Sequence, residues 1–241
     1  MRDRFTLPAT ILALSVIIAA VLLSATWRGN RRAAQTLGVT GSATIEMESD
    51  FGILGCRLTG EAPTPDQAYA ELQAQVPKLK TYLADRGFTP QQLRPFPLTS
   101  RAVPELTEQG RNTGRILKYI YQQRFQVESN DVRLIEETAL EITALIEEGV
   151  LVEPEMPQYH YRGLQELKVD AQAMAAQNAM ERAQRVAAAA GSELGPIRRA
   201  KLGVLQITPR HSTRVSDYGI HDLSSIEKEI TAVVHASFAI Q

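Results

Sequence analysis

Lys228-Glu229-Ile230-Thr231-Ala232-Val233-Val234-His235-Ala236-Ser237-Phe238-Ala239-Ile240 is the stretch whose pattern decides the fold class. Ile230, Ala232, Val234, Ala236, Phe238 and Ile240 fall at every second position, the period of a strand with one apolar face, and Thr231, His235 and Ser237 take the other face. Such a strand belongs to an antiparallel sheet with one face covered and one face wet. It closes the chain, so its position predicts a terminal strand with an exposed edge that invites a partner. The same period recurs upstream in residues 117–127, where Leu117, Tyr119, Tyr121, Phe125 and Val127 share a face. Lys118, Gln122, Arg124 and Gln126 lie opposite with Ile120, and residues 109–114 make the preceding turn. Residues 93–106 carry Pro95, Pro97 and Pro104 and predict a broken or edge strand. Residues 39–47 and 51–60 predict two strands joined as a hairpin around 48–50, and residues 195–208 predict one more strand.

Between the strands lie three helical patterns. Thr64-Pro65-Asp66-Gln67 reads as an N-cap, a proline at the first helical position and a capping-box glutamine. Ala68, Leu72, Val76, Leu79 and Leu83 form the apolar stripe that follows, Gly87 stops it, and Pro77 predicts a kink or a division inside it. Residues 129–131 offer caps to a second helix over 132–148, ended by Gly149. After an extended piece at 158–161, the longest helix covers 164–190 and stops at Gly191, with a stripe of mostly small residues, Leu167, Ala171, Ala175, Ala179, Ala183, Val186 and Ala190, suited to close approach on a sheet. The fold class is therefore α+β: an antiparallel sheet with helices packed on one face, built from strand-strand-helix units.

The chain has 241 residues, with 26 Lys plus Arg against 27 Asp plus Glu. A net charge of -1 argues against a general nucleic-acid binder, and 44% hydrophobic residues argue against disorder. The charge is unevenly placed. Residues 5–27 contain no charged side chain, and as a helix of about 34 Å they match a hydrocarbon core of about 30 Å. We divide the chain into a short flank at 1–6, a transmembrane signal-anchor helix at 7–27, a linker at 28–36 and a domain at 37–241. A cleaved signal peptide is the competing reading. It fits less well, because its apolar region spans about 7–15 residues before a small-x-small site. Here Leu23 occupies the -3 place for cleavage after Ala25. Arg2 and Arg4 on one side and Arg28, Arg31 and Arg32 on the other leave the orientation undecided by charge.

Val39-Thr40-Gly41-Ser42-Ala43, the helix of residues 170–190 closing in Ala-Gly, and the run Ser216-Asp217-Tyr218-Gly219-Ile220 leading to Ile226–Val234 together resemble the SIMPL-domain family. The resemblance covers about residues 37–241. It implies a bacterial cell-envelope or periplasmic protein, homo-oligomers in some members and a link to oxidative-stress defence in some, without a defined reaction. On that basis the anchor sits in a bacterial inner membrane, single-pass, with the C-terminal domain in the periplasm. A domain of this length crosses despite an arginine flank.

Catalytic signatures are sparse. His160, His211, His221 and His235 share no helical i, i+3 or i, i+4 spacing, so the sequence gives no metal site and no cofactor site. His235 falls on the polar face of its strand. Gly110-Arg111-Asn112-Thr113-Gly114 lacks the lysine of a phosphate loop and reads as a hairpin turn. Cys56 shares a face with Leu54 and Leu58 and is expected to be buried and inert, with no second cysteine to resolve an oxidised sulfur. The loop at 209–225 gathers His211, Ser212, Asp217, Tyr218, His221 and Asp222, the residue types of acid-base chemistry, but no motif orders them into a nucleophile and base. We therefore read the loop as a possible interaction surface and the protein as no enzyme. The sequence supports an anchored, self-assembling homo-oligomer with an envelope protein partner, supporting envelope or oxidative-stress homeostasis. The alternative is a monomeric binding module that uses the 209–225 loop for a small ligand or partner protein.

Overall fold

The computed structural model describes residue 15, residues 17–20 and residues 35–240. The anchor expected at 7–27 lies largely outside the described residues, and among those described no helix is long and apolar enough to cross a membrane.

Two sheets form, not one. The first contains β1 (Thr36–Glu48), β8 (Leu194–Leu202), β9 (Gln206–Pro209), β10 (Ile220–His221) and β11 (Glu227–Ile240). The second contains β2 (Phe51–Ala62), β3 (Leu93–Pro95), β4 (Thr99–Leu106), β5 (Asn112–Ser129), β6 (Val152–Pro154) and β7 (Gln158–His160). Pairing is antiparallel except between β10 and β9, which run parallel. The α+β class holds, with the sheet divided.

The division falls where a hairpin was expected. β1 and β2 are separated by Ser49 and Asp50 alone, yet β1 pairs with β11 from Thr36↔Ala239 to Glu48↔Glu227, and β2 pairs with β5 from Gly52↔Ser129 to Ala62↔Tyr119. The Ser49 amide donates to Ile226 O (2.9 Å) and the Asp50 amide to His160 O (2.9 Å), so the chain steps from one sheet to the other without folding back. β11 is consequently no edge. β1 lies on one flank and β8 and β9 follow each other on its other flank, separated where the Gly203 amide donates to Val233 O. The single strand expected over 195–208 is thus broken in two.

Each sheet carries a helix on one face. α1 (Pro65–Asp85) packs on β2 and β5, and α3 (Leu164–Ala189) packs on β1 and β11. α2 (Val132–Glu141) runs on as a 3-10 turn, Ile142–Ile146, so the helix expected to 148 ends as a tighter coil before Gly149 at φ 78°. Asp131 caps α2 by accepting from the amides of Arg133 and Leu134. α1 begins at Pro65 as expected, but the Thr64 hydroxyl makes no cap bond. Pro77 neither divides nor ends α1; it lies on the exposed side of the helix, where the carbonyl that loses its amide donor is open to solvent.

The core follows the alternation. Leu54, Cys56, Leu58, Leu72, Leu79, Phe125 and Ile135 anchor one cluster in the second sheet. Ala171, Ala175, Ile207, Ile230, Ala232 and Val234 fill the other sheet, continued by Ala179, Ala183, Ala236 and Phe238. Leu117 departs from expectation at 56% exposed, because β5 outruns β2: residues 112–118 pair only with β4.

Candidate functional site

The loop at 209–225 leaves β9, re-enters the sheet at β10 and reaches β11. It is fixed locally. The Gln206 side-chain amide donates to Ser216 O (2.7 Å), Ser212 Oγ accepts from the Arg214 amide (3.3 Å), and His211 holds a left-handed backbone at φ 63°. Asp222 accepts from both the amide and hydroxyl of Ser224 (3.2 and 2.7 Å) and of Ser225 (3.1 and 2.6 Å). Burial raises the Asp222 carboxyl, but the Ser225 and Ser224 donors outweigh it and hold the group below its ordinary range. Both of its oxygens are committed to turning the chain into β11.

The six residues singled out from the sequence do not converge. His211 lies on an open groove of about 920 Å³ with Arg133, Leu140, Met156 and Pro157. His221 and Asp222 line a neighbouring concavity of about 400 Å³ with Met156, Gln158 and Arg214. Ser212, Asp217 and Tyr218 line neither of these two, and Tyr218 is 97% exposed. The Ser224 and Ser225 hydroxyls both donate to Asp222, which closes the loop onto the start of β11.

A second group of titratable residues lies beneath the loop, at the seam between the sheets. Lys228 stands on the covered face of β11 beside Met47, is 2% exposed and donates from Nζ to Tyr159 O (2.6 Å). Burial pushes its ammonium below the ordinary lysine value, and Asp222 opposes that shift. His160, one residue from Tyr159, has a buried Nε2 with no partner; burial lowers its pKa first, then the charges of Lys228 and His221. His221 is lowered by burial and by Lys168 and Lys228. The seam thus favours neutral imidazoles around one buried cation. Lys228 has a signal in the sequence, since its number has the same parity as Ile230, Ala232 and Val234, which puts a lysine in register with the core face.

Two of the remaining candidates lie as expected. Cys56 is 4% exposed and burial drives its thiol up to about 12, well away from a reactive thiolate. His235 is exposed, and its Nδ1 is 2.9 Å from Thr40 Oγ1. The turn that joins β4 to β5 falls earlier than expected, over residues 107–111, with Gly110 at φ 77°, while Gly114, at φ 83°, lies within β5.

The SIMPL model, described as a protein of unknown function (DUF541), aligns with residues 37–238. The chain belongs to the SIMPL family. The SIMPL match takes in nearly all of both sheets, the helices α1, α2 and α3, and the seam. No curated protein matches the chain.

Proposed function

We propose that this SIMPL-domain protein is membrane-anchored and periplasm-facing, catalyses no reaction, and self-assembles in support of envelope or oxidative-stress homeostasis. The observation that carries self-assembly is the ribbon formed by β4 and the first part of β5. Residues 112–118 lie beyond the end of β2, and the outer flank of β4 meets no strand among the described residues. Leu106 (56%), Ile116 (45%) and Leu117 (56%) are exposed there. A two-stranded ribbon without a third layer is marginal in water, and its open edges and apolar side chains are satisfied by a second copy. The ion pair between Lys118 and Glu61 fastens only the base of the ribbon.

Light-scattering mass of residues 33–241 tests this reading. A discrete multiple of the monomer mass that falls to one monomer in Leu117→Asp supports it. A wild-type monomer sinks it. The second reading, a monomeric binding module, is favoured by the open groove beside His211; it is tested by deleting part of the 209–225 loop and asking whether partner pull-down is lost while mass is unchanged. Orientation is tested by a C-terminal reporter active only in the periplasm. For the stress role, a deletion strain complemented by Cys56→Ser is expected to tolerate peroxide as well as one carrying the wild-type protein.

A further inference from the structure

A concavity that shares no lining residue with the loop opens between one flank of α1 and the margin formed by β3 and β5. Its volume is about 380 Å³, inside the range of about 300–1,000 Å³ that small-molecule clefts occupy. Leu83, Phe88 and Phe125, at 3%, 4% and 2% exposed, form its floor, and Val76 and Leu93 add to the walls. The cleft is held open by bonds that do not depend on a ligand. Gln92 Oε1 accepts from the Thr89 amide (2.8 Å), Gln92 Nε2 donates to Glu128 O (2.9 Å), and the Phe96 amide donates to Arg124 O (2.9 Å). Such a frame spares a ligand the cost of ordering its own site.

The charge of the lining is one-sided. Lys80 is the single charged side chain on it, no Asp or Glu lines it, and Lys80 forms no ion pair among the described residues. Residues 76, 80 and 83 share one face of α1 at helical spacing, so the ammonium stands beside the apolar floor. A cationic amphiphile meets a like charge there, and a neutral one gains burial alone. A long two-chain lipid exceeds the volume.

We propose that this cleft binds a single-chain amphiphile bearing one carboxylate, of the class of a medium-chain fatty acid, its alkyl chain against Leu83, Phe88 and Phe125 and its carboxylate at Lys80. The site shares no residue with the 209–225 loop or the β4–β5 ribbon, so it stands whether or not the chain self-assembles.

The test is photolabelling of the full chain in phospholipid nanodiscs with a diazirine-bearing dodecanoate, followed by peptide mass spectrometry. Adducts are expected to concentrate in residues 73–95 and in the peptide holding Phe125. Unlabelled dodecanoate is expected to compete about two- to fivefold better than dodecanol, the worth of one exposed charge pair. Lys80→Gln is expected to erase that preference. Ala84→Trp, made at an exposed helix position, is expected to block labelling without lowering the melting temperature. Adducts scattered over the surface, confined to residues 1–34, or undiminished in Ala84→Trp would overturn the site. Equal competition by acid and alcohol in the wild-type chain would overturn the carboxylate.

Discussion

Helix α3 crosses its sheet over Gly41, where an added Cβ would lie 2.2 Å from Ala175 O and 2.3 Å from Ala179 N; helix α1 crosses its own over Gly60, where the same atom would lie 2.4 Å from Ala68 O and 2.5 Å from Leu72 N. Both units lay backbone almost directly on backbone at a glycine. They differ in what surrounds that point. The α3 stripe is Ala171, Ala175, Ala179, Ala183 and Ala187, whereas α1 presents Leu72, Leu79 and Leu83 to Leu54, Leu58 and Phe125. Alanines bury little area each, so adhesion in the first unit depends on close approach and dispersion with Ile230, Val234 and Phe238. In the second unit it depends on side-chain volume. Both units are therefore sensitive to enlargement at their glycine, and the second is sensitive to truncation as well.

The comparison is broken most forcefully from the leucine side. Leu79 is fully buried in the larger cluster, and Leu79→Ala is expected to cost about 2–5 kcal/mol by lost transfer energy plus a cavity. Equilibrium denaturation in urea measures it. Gly41→Ala is the reciprocal test. The added methyl meets helix backbone and no movable side chain, so α3 must lift along its length, at about 1–3 kcal/mol. If Gly41→Ala were neutral, the close approach in the first unit would not be what holds it.

This difference also explains what the sequence made legible. Period-two alternation in residues 228–240 and the alanine stripe at 171–183 are local signals, and both placed these residues on the covered face; further along the helix the stripe was misplaced, since Val186 and Ala190 are exposed and Ala187 is buried instead. Pairing is a non-local property. Ser49 and Asp50 looked like a hairpin turn because nothing in residues 39–60 encodes that β11 offers β1 a thirteen-residue register on the far side of the chain. The same blindness made β11 look like an edge. In the 209–225 loop, Asp222 was one of six residues grouped by type alone, and its bonds to Ser224 and Ser225 turn the chain, a geometry that composition does not encode. The seam residues His160 and Lys228 are 68 positions apart in the chain, and Lys228 reaches the peptide carbonyl beside His160, so only the assembled fold brings them together.

Lys228 is one place where the two units depend on each other, beside the Tyr159 amide's bond to Leu223 O and the ion pairs of Arg133 with Glu48 and Glu227, since it rises from β11 and its hydrogen bond ends on Tyr159 of β7. Lys228→Met keeps the stem's volume and removes the desolvated charge, a gain, while leaving the Tyr159 carbonyl without its donor, a loss of about 1–3 kcal/mol. The two effects oppose, so the net change in stability at neutral pH is expected within about 1 kcal/mol. A loss as large as that of Leu79→Ala would mean that the ammonium holds more than this carbonyl.

The smallest expected effect is the acid response of the same seam. Burial, then Lys228 and His221, keep the His160 imidazole below its ordinary value near 6.5 in the folded chain. Below that value the unfolded chain takes up the proton first, so stability is fully present above about pH 6.5 and falls as pH drops toward the folded pKa. Glu155, lowered by Arg124, contributes with the same sign but only below its ordinary value of 4.5, and Asp222 only below 3.8, so a window between pH 6.5 and 5 isolates the histidines. Across it the wild-type melting temperature is expected to decline. His160→Gln should flatten the decline while His221, held down by burial and then by Lys168 and Lys228, keeps part of it. Lys228→Met should flatten it as well, because removing that cation relieves one repulsion on both imidazoles without touching either ring. If Lys228→Met left the slope unchanged while His160→Gln reduced it, burial alone would account for the imidazole, and the buried lysine would have no part in making the seam acid-sensitive.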